Sequence, residues 1–271
     1  MKLSLKDIKA KLNAPRKIIK PAPEKFDNFV VGEINLEPYR VTDEVWLIPD
    51  YISEELEEKI LNNGVYHQPE SKWVRLRTRS LQLWGGDVTE DGLQNQEPLP
   101  KFLDIFAQRL FDERIFPYKP NHALINEYQP GQGIMPHTDG PAYYPLVATL
   151  CLGSVAVSQF WNMEPRSPAF SIILPQRSLL LWTGNPYYNM LHSIEDVPSD
   201  YIFTDSCGVF YTQTSAGELS RVLNYTGPTV PIDELIKECP ICKEDLKVVN
   251  SLYRETRISI TIRYVPLANR E

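Results

Sequence analysis

The chain has no apolar run near the roughly 18–20 residues that a helix needs to cross a bilayer, although 42% of its 271 residues are hydrophobic. Its start also lacks an apolar signal core and a small-residue cleavage site, so neither secretion nor membrane insertion is expected. Cysteine is scarce. Cys151, Cys207, Cys239 and Cys242 follow no regular framework, which argues against a disulfide scaffold and for a reducing compartment, the cytoplasm or nucleus. Only four histidines are present, so one that falls in a patterned segment carries weight. Positive charge is missing from most of the chain: residues 1–20 carry seven Lys/Arg against one acid, Asp7, whereas the remainder holds 21 basic and 34 acidic side chains. An acidic body is a poor footprint for coating long nucleic acid, so any polynucleotide contact must be local.

What is there divides into a tail and one domain. Leu5, Ile8 and Leu12 fall at helical spacing and are followed by Pro15, Pro21 and Pro23. This predicts a short basic helix and a stiff linker within a flexible tail over residues 1–24, ahead of a domain over 25–271. In "VTDEVWLIPDYISEELEEKILNNGV" a strand is expected around Val45 to Ile48, then a helix capped by Ser53 with Glu54 and Glu55 in its first turn. "LPKFLDIFAQRLFDERIF" places Phe102, Leu103, Phe106 and Leu110 on one helical face, the stripe of a helix lying on a sheet.

Beyond residue 120 the rhythm changes to short period-two runs broken by Pro and Gly: "ALINEY", "LVATLCLGS", "VAVSQFWN", "FSIILP", "RSLLLWTG" and "TRISITIRYVP". Helices first and about eight strands afterwards predict an α+β, mostly β fold: a jelly-roll double sheet with helices packed on one outer face. Residues 197–254 break the strand rhythm and are expected to be an irregular insertion containing a helix near "IDELIKE". Within it, "CPIC" has the spacing of a zinc half-site, but no two further Cys or His lie near in sequence. Ordinary thiols and a zinc or redox site both stay open for Cys239 and Cys242.

Three stretches carry candidate chemistry. In "INEYQPGQGIMPHTDG", His137 and Asp139 are two apart, so in an extended segment both point to one side and can close on one ion. In "LLLWTGNPYYNMLHSI", an apolar strand runs through a Gly-Asn-Pro turn into His192, which completes a two-His-one-carboxylate set suited to Fe(II) with open positions. In "RISITIR", Ile258, Ile260 and Ile262 alternate with Arg257, Ser259, Thr261 and Arg263. If the polar face turns inward, its two guanidinium groups require anions, and at roughly 20 Å between their Cα atoms they could clamp a short dicarboxylate. His67 and His122 sit in less regular patterns and are expected to be surface or structural residues.

Asn126-x-Tyr128, His137-x-Asp139, His192 and Arg257-x-Ser259-x-Thr261-x-Arg263 occur in the order found in the AlkB-like Fe(II)/2-oxoglutarate dioxygenases. The chain resembles that family over about residues 38–267. "KWVRLRTRSLQLWGG", "YQPGQGIMPHTDGPAYYP" and "RSLLLWTGNPYYNMLHSI" are similar to the branch formed by its sixth homologues. The resemblance implies a double-stranded β-helix, Fe(II) and 2-oxoglutarate as cofactor and co-substrate, and O2 as oxidant. It implies His137, Asp139 and His192 as iron ligands, and Asn126, Tyr128, Arg257, Ser259, Thr261 and Arg263 as 2-oxoglutarate contacts. Tyr128 and Arg257 would share the distal carboxylate, and Asn126 and Arg263 the one beside the ketone. Ser259 stands where much of the family has Asn, and the 65 positions from His192 to Arg257 exceed the family's usual spacing.

The implied reaction is hydroxylation of a C–H bond, which on an N-methyl group ends in loss of formaldehyde. Trp73, Arg75, Arg77, Arg79 and Trp84 of "KWVRLRTRSLQLWGG" are expected to form a cationic, aromatic lid over a flipped base, with the three arginines on one strand face. The expected partner is alkylated single-stranded DNA or RNA, met by a monomer. A dioxygenase of protein or small molecules, and a catalytically silent module on the same fold, are the alternatives.

Overall fold

The computed structural model describes residues 33–89, 92–225 and 246–266. The tail with its expected helix, the helix near "IDELIKE", and Cys239 and Cys242 lie outside these residues.

Two facing antiparallel sheets form the body. The larger runs β1 (Arg40–Thr42), β2 (Val45–Ile48), β12 (Leu179–Thr183), β9 (Leu146–Leu152), β18 (Arg257–Arg263), β7 (His122–Tyr128), β4 (Ser80–Trp84), β3 (Val74–Arg75). The smaller runs β11 (Ser167–Leu174), β10 (Ala156–Asn162), β13 (Met190–Ile194), β8 (Ile134–His137). This is the expected jelly roll, and each quoted period-two run supplies one of its strands.

Alternation along the strands divides the apolar residues between two cores. On the outer face of the larger sheet, Ile258, Ile260 and Ile262 join Ile125 and Leu150 beneath Phe102, Leu103, Phe106 and Leu110. Those four belong to α2 (Lys101–Asp112), which lies on that face as its stripe predicts. At ~1.5–3 kcal/mol for each large side chain removed from water, this layer fixes which face of β18 points outward. The opposite face then meets the smaller sheet across Val147, Cys151, Phe160, Leu180 and Trp182. The preceding α1 (Glu54–Lys59) begins at Ser53, whose Oγ accepts from the Leu56 amide at 3.3 Å, as its N-cap sequence anticipates.

The segment expected to be an irregular insertion holds a third antiparallel sheet among its described residues. Its order is β16 (Leu219–Arg221), β15 (Phe210–Gln213), β14 (Ser199–Thr204), β17 (Lys247–Tyr253). Two of its strands, β15 and β16, are short, and the longer β14 and β17 set buried residues side by side, so no clean alternation marks them in sequence. Ile202, Val222 and Val249 cover Val157 and Ile173, the outward apolar residues of the smaller sheet. The insertion is therefore a fourth layer, opposite the helices.

Candidate active site

The register of three adjacent strands gathers the predicted polar residues on one inner wall. β18 pairs with β7 so that Arg257 faces Tyr128 and Ser259 faces Asn126, and with β9 so that Ser259 faces Cys151 and Thr261 faces Thr149. Every residue of β18 is buried. A strand that sequence alone allows to be half solvated is sealed on both faces, with the helices over its isoleucines and the smaller sheet over its polar residues.

The smaller sheet supplies the facing wall. His137 closes β8 and lies directly opposite His192 of β13, with ring centroids 4.3 Å apart. Asp139 follows two residues later and approaches His192 Nε2 with Oδ2 at 3.7 Å, while its Oδ1 accepts from Arg263 Nη1 at 2.6 Å. His137, Asp139, His192 and Arg263 are thus brought together from three separate parts of the sequence. His137 Nδ1 lies 2.8 Å from the Met135 carbonyl. A carbonyl only accepts, so Nδ1 carries the proton and the Nε2 lone pair is left to bind.

Electrostatics prepare these groups as ligands. Burial, reinforced by His137 and Arg263 against the pull of Asp139, lowers His192 to about 4. Burial likewise lowers His137, against its Met135 hydrogen bond and Asp139. At Asp139 burial is the largest single influence and acts upward, but Arg263, His192 and His137 together outweigh it and hold the carboxyl below its ordinary value. Two neutral imidazoles and one carboxylate therefore coexist near pH 7. Among the described residues no three His, Cys, Asp or Glu side chains are gathered closely enough to hold a metal ion, and one Asp139 oxygen is taken by Arg263. The other, Oδ2, is buried without a hydrogen-bond partner, and this orphaned acceptor beside two imidazoles fits a divalent ion preferring mixed N/O ligands.

The two arginines leave further unmet donors: the Nε atoms of Arg257 and Arg263 are buried without partners. Arg257 donates from Nη2 to the Cys151 thiol at 3.5 Å and lies 5.7 Å from the Tyr128 ring centroid. Among the described residues no carboxylate is within salt-bridge distance of it, and Asp200, which it influences at longer range, is engaged by Arg254. An unpaired guanidinium buried on the same wall as the His-Asp-His cluster fits the far carboxylate of a dicarboxylate.

Sequence reasoning missed three neighbours. Tyr143 stacks on Arg263, with 4.2 Å from Cζ to the ring centroid, and Trp182 lies 5.2 Å from His192. Tyr187 reaches the Gly140 carbonyl with its hydroxyl at 2.7 Å and pins the turn after Asp139. Trp182 ends the continuous apolar run of β12, which has no alternation to show the face it serves. Tyr143 sits in a bend and Tyr187 in a helix of only five residues, neither long enough to show a period. His67 is exposed, and His122 is buried 5.6 Å from the Tyr143 ring, in keeping with the surface and structural roles expected of them.

The expected lid needs correction. Arg75, Arg77 and Arg79 do not share a strand face, because the chain reverses between β3 and β4 and the Leu76 amide bonds the Arg79 carbonyl. Arg75 points outward to Glu70 and Glu127, Arg77 is exposed, and only Arg79 turns to the inner wall, where its Nε meets Asn126 Oδ1 at 3.1 Å. Trp73 and Trp84 are buried in the core beneath the helices, Trp84 edge-on to Phe102 at 6.2 Å. Rings packed there cannot stack on a base, because their faces are already covered.

Comparison with known proteins places this geometry. The model of the 2OG-Fe(II) oxygenase superfamily matches residues 48–263. The protein named probable RNA/DNA demethylase ALKBH6 of Danio rerio is 33% identical over 248 residues, 86% of this chain and 92% of that one. The tRNA (carboxymethyluridine(34)-5-O)-methyltransferase alkbh8 of Xenopus tropicalis is 29% identical over 163 residues, 58% of this chain and 26% of that protein. A solved structure described as that of OsALKBH1 covers 81% of this chain and 97% of its own, at 13% identity and a TM-score of 0.47. A superfamily model spanning both the His-x-Asp motif and the arginine strand, with a relative matched over nearly its whole length, shows that the chain belongs to the 2OG-Fe(II) oxygenases and is an AlkB-like dioxygenase.

Proposed function

We propose that this dioxygenase removes alkyl groups from nucleobases in single-stranded DNA or RNA, with His137, Asp139 and His192 holding Fe(II). In this reading Arg257 and Tyr128 hold the far carboxylate of 2-oxoglutarate. Asn126 and Arg263 meet the carboxylate beside the ketone, and Ser259 and Thr261 line the wall between. When bound, iron and 2-oxoglutarate supply with O2 the oxidant that hydroxylates a C–H bond, and a hydroxylated N-methyl group leaves as formaldehyde.

The chain's own part is orientation and exclusion of water. Met135 fixes the His137 tautomer, Arg263 holds Asp139, and the two sheets shut solvent away from β18. The observation that carries the co-substrate assignment is the buried Arg257 without a carboxylate partner, on the wall facing two neutral histidines. Support for a nucleic-acid substrate comes from the naming of the Danio rerio relative as a probable RNA/DNA demethylase. A base in a duplex would have to be unstacked to reach so enclosed a site, which favours single strands.

The test is a screen of N-methylated single-stranded RNA and DNA oligonucleotides beside methylated peptides, with Fe(II), 2-oxoglutarate and O2. Nucleoside and peptide mass spectrometry would be read together with formaldehyde release. Demethylation of an oligonucleotide is the expected result. Demethylation of peptides alone would replace this reading with the protein-substrate one.

A further inference from the structure

Arg79 is the one arginine of the β3–β4 hairpin that turns to the inner wall. It is half-buried, and its Nε donates to Asn126 Oδ1 at 3.1 Å. A guanidinium has donors and no acceptor, so it can bond only the oxygen of the amide. The Asn126 oxygen is thereby committed to Arg79 and its NH2 group is turned the other way. Asn126 is itself buried, opposite Ser259 on β18 and Leu81 on β4, and cannot escape this choice by rotating into solvent. The charge of Arg79 also acts on Tyr128 and His137, which places it among the groups of the site.

The other hairpin arginines do none of this. Arg75 is claimed by Glu70 and Glu127 on the outer surface, and Arg77 is at the exposed turn.

We propose that Arg79 is a positioning residue for the co-substrate: by holding the Asn126 oxygen, it fixes the amide so that its NH2 group donates to a carboxylate of 2-oxoglutarate. This rests on the reading of the β7–β18 wall as the 2-oxoglutarate site. Without Arg79 the amide can turn over and present its oxygen to the carboxylate, replacing an attraction with a repulsion. A hydrogen bond to a charged group is among the stronger polar contacts, so losing its orientation should weaken 2-oxoglutarate roughly tenfold.

The experiment measures equilibrium binding of 2-oxoglutarate to the full chain loaded with Mn(II), by titration calorimetry and without turnover. Arg79→Met should weaken binding roughly tenfold and Arg79→Lys, which keeps a donor, should recover most of the loss. The Arg79→Met/Asn126→Ala double variant should bind no worse than Asn126→Ala alone, since both changes remove the same contact. Thermal melting of each variant separates these effects from misfolding. Unchanged 2-oxoglutarate binding in Arg79→Met, or additive losses in the double variant, would overturn the proposal. A loss confined to oligonucleotide binding would overturn it too, and would make Arg79 a substrate contact. Arg257→Ala serves as the control for the underlying reading: if it alone leaves 2-oxoglutarate binding intact, the wall has been misassigned, whatever Arg79 does.

Discussion

Arg257 and Arg263 stand six residues apart on the same face of one strand and are equally buried, at 4% and 3% exposure, yet their surroundings differ in kind. Arg263 has an anion of its own in Asp139 at 2.6 Å and an aromatic face in Tyr143. Arg257 has a thiol and a distant tyrosine ring but, among the described residues, no carboxylate, and the Nε of each arginine is unpartnered. Identical side chains with identical burial therefore do different work. One is paired with a carboxylate of the protein, the proposed iron ligand Asp139, while the other has no such carboxylate and is held ready for an anion from outside. Burying a charge without an ion-pair partner is costly, and on this strand the chain accepts that cost at the end where the far carboxylate of the co-substrate is proposed to bind.

The largest expected effect tests the open end. Arg257→Ala should lower 2-oxoglutarate affinity about a hundredfold, as expected for loss of a charge-assisted contact, while leaving Mn(II) binding nearly unchanged. Calorimetry with each ligand in turn checks this, and a metal defect equal to the 2-oxoglutarate defect would erase the distinction between the two arginines. Next, Arg263→Met should free Asp139 and weaken Fe(II) about tenfold, in the range found when an outer partner of a metal ligand is removed. Anaerobic metal titration reads it directly. A smaller loss is expected from Tyr143→Leu, which removes only the ring over Arg263 and should weaken metal by about threefold.

A last test concerns pH and is read in stability rather than affinity. Burial pushes His192 down to about 4 in the folded chain, whereas an unfolded histidine takes its proton near 6.5. Between those values the unfolded state binds more protons, so this residue's contribution makes stability rise with pH through that window and fall as acid is added. Urea unfolding at pH 5 and pH 7 should show a larger drop for the native chain than for His192→Gln. Equal drops would mean that His192 is not shielded as its burial indicates.

How much of this was legible in the sequence depends on whether a residue's direction was set locally. "RISITIR" disclosed its two faces because strand geometry alone fixes them, and the apolar stripe of α2 showed where the outward isoleucines would be covered. His137 and His192 were readable as a pair only from their order along the chain, since the register of β8 on β13 that joins them has no local signature. The arginines of "RLRTR" misled for the opposite reason. Alternation applies within one strand, and here a turn intervenes, so only Arg79 reaches the site. Trp73 and Trp84 carried no sign of which face they served until the helices above them were in place. The insertion's sheet escaped notice because β15 and β16 are short and β14 and β17 place buried residues next to one another instead of alternating them.

The third sheet leaves and rejoins the jelly roll at one seam. Its first and last strands pair there, Ser199 opposite Tyr253, and Arg254 grips the buried Asp200 with two hydrogen bonds of 2.6 and 2.7 Å while also donating to the Glu195 carbonyl. Arg254 stands three positions before Arg257, and Glu195 three after His192. The seam acts as a rivet that sets the spacing between the histidine-bearing sheet and the arginine strand, so the long excursion between those strands need not loosen the site. Whatever chain is hung beyond the rivet can lengthen, shorten or change composition at little cost in closure entropy, provided that Asp200 and Arg254 still meet.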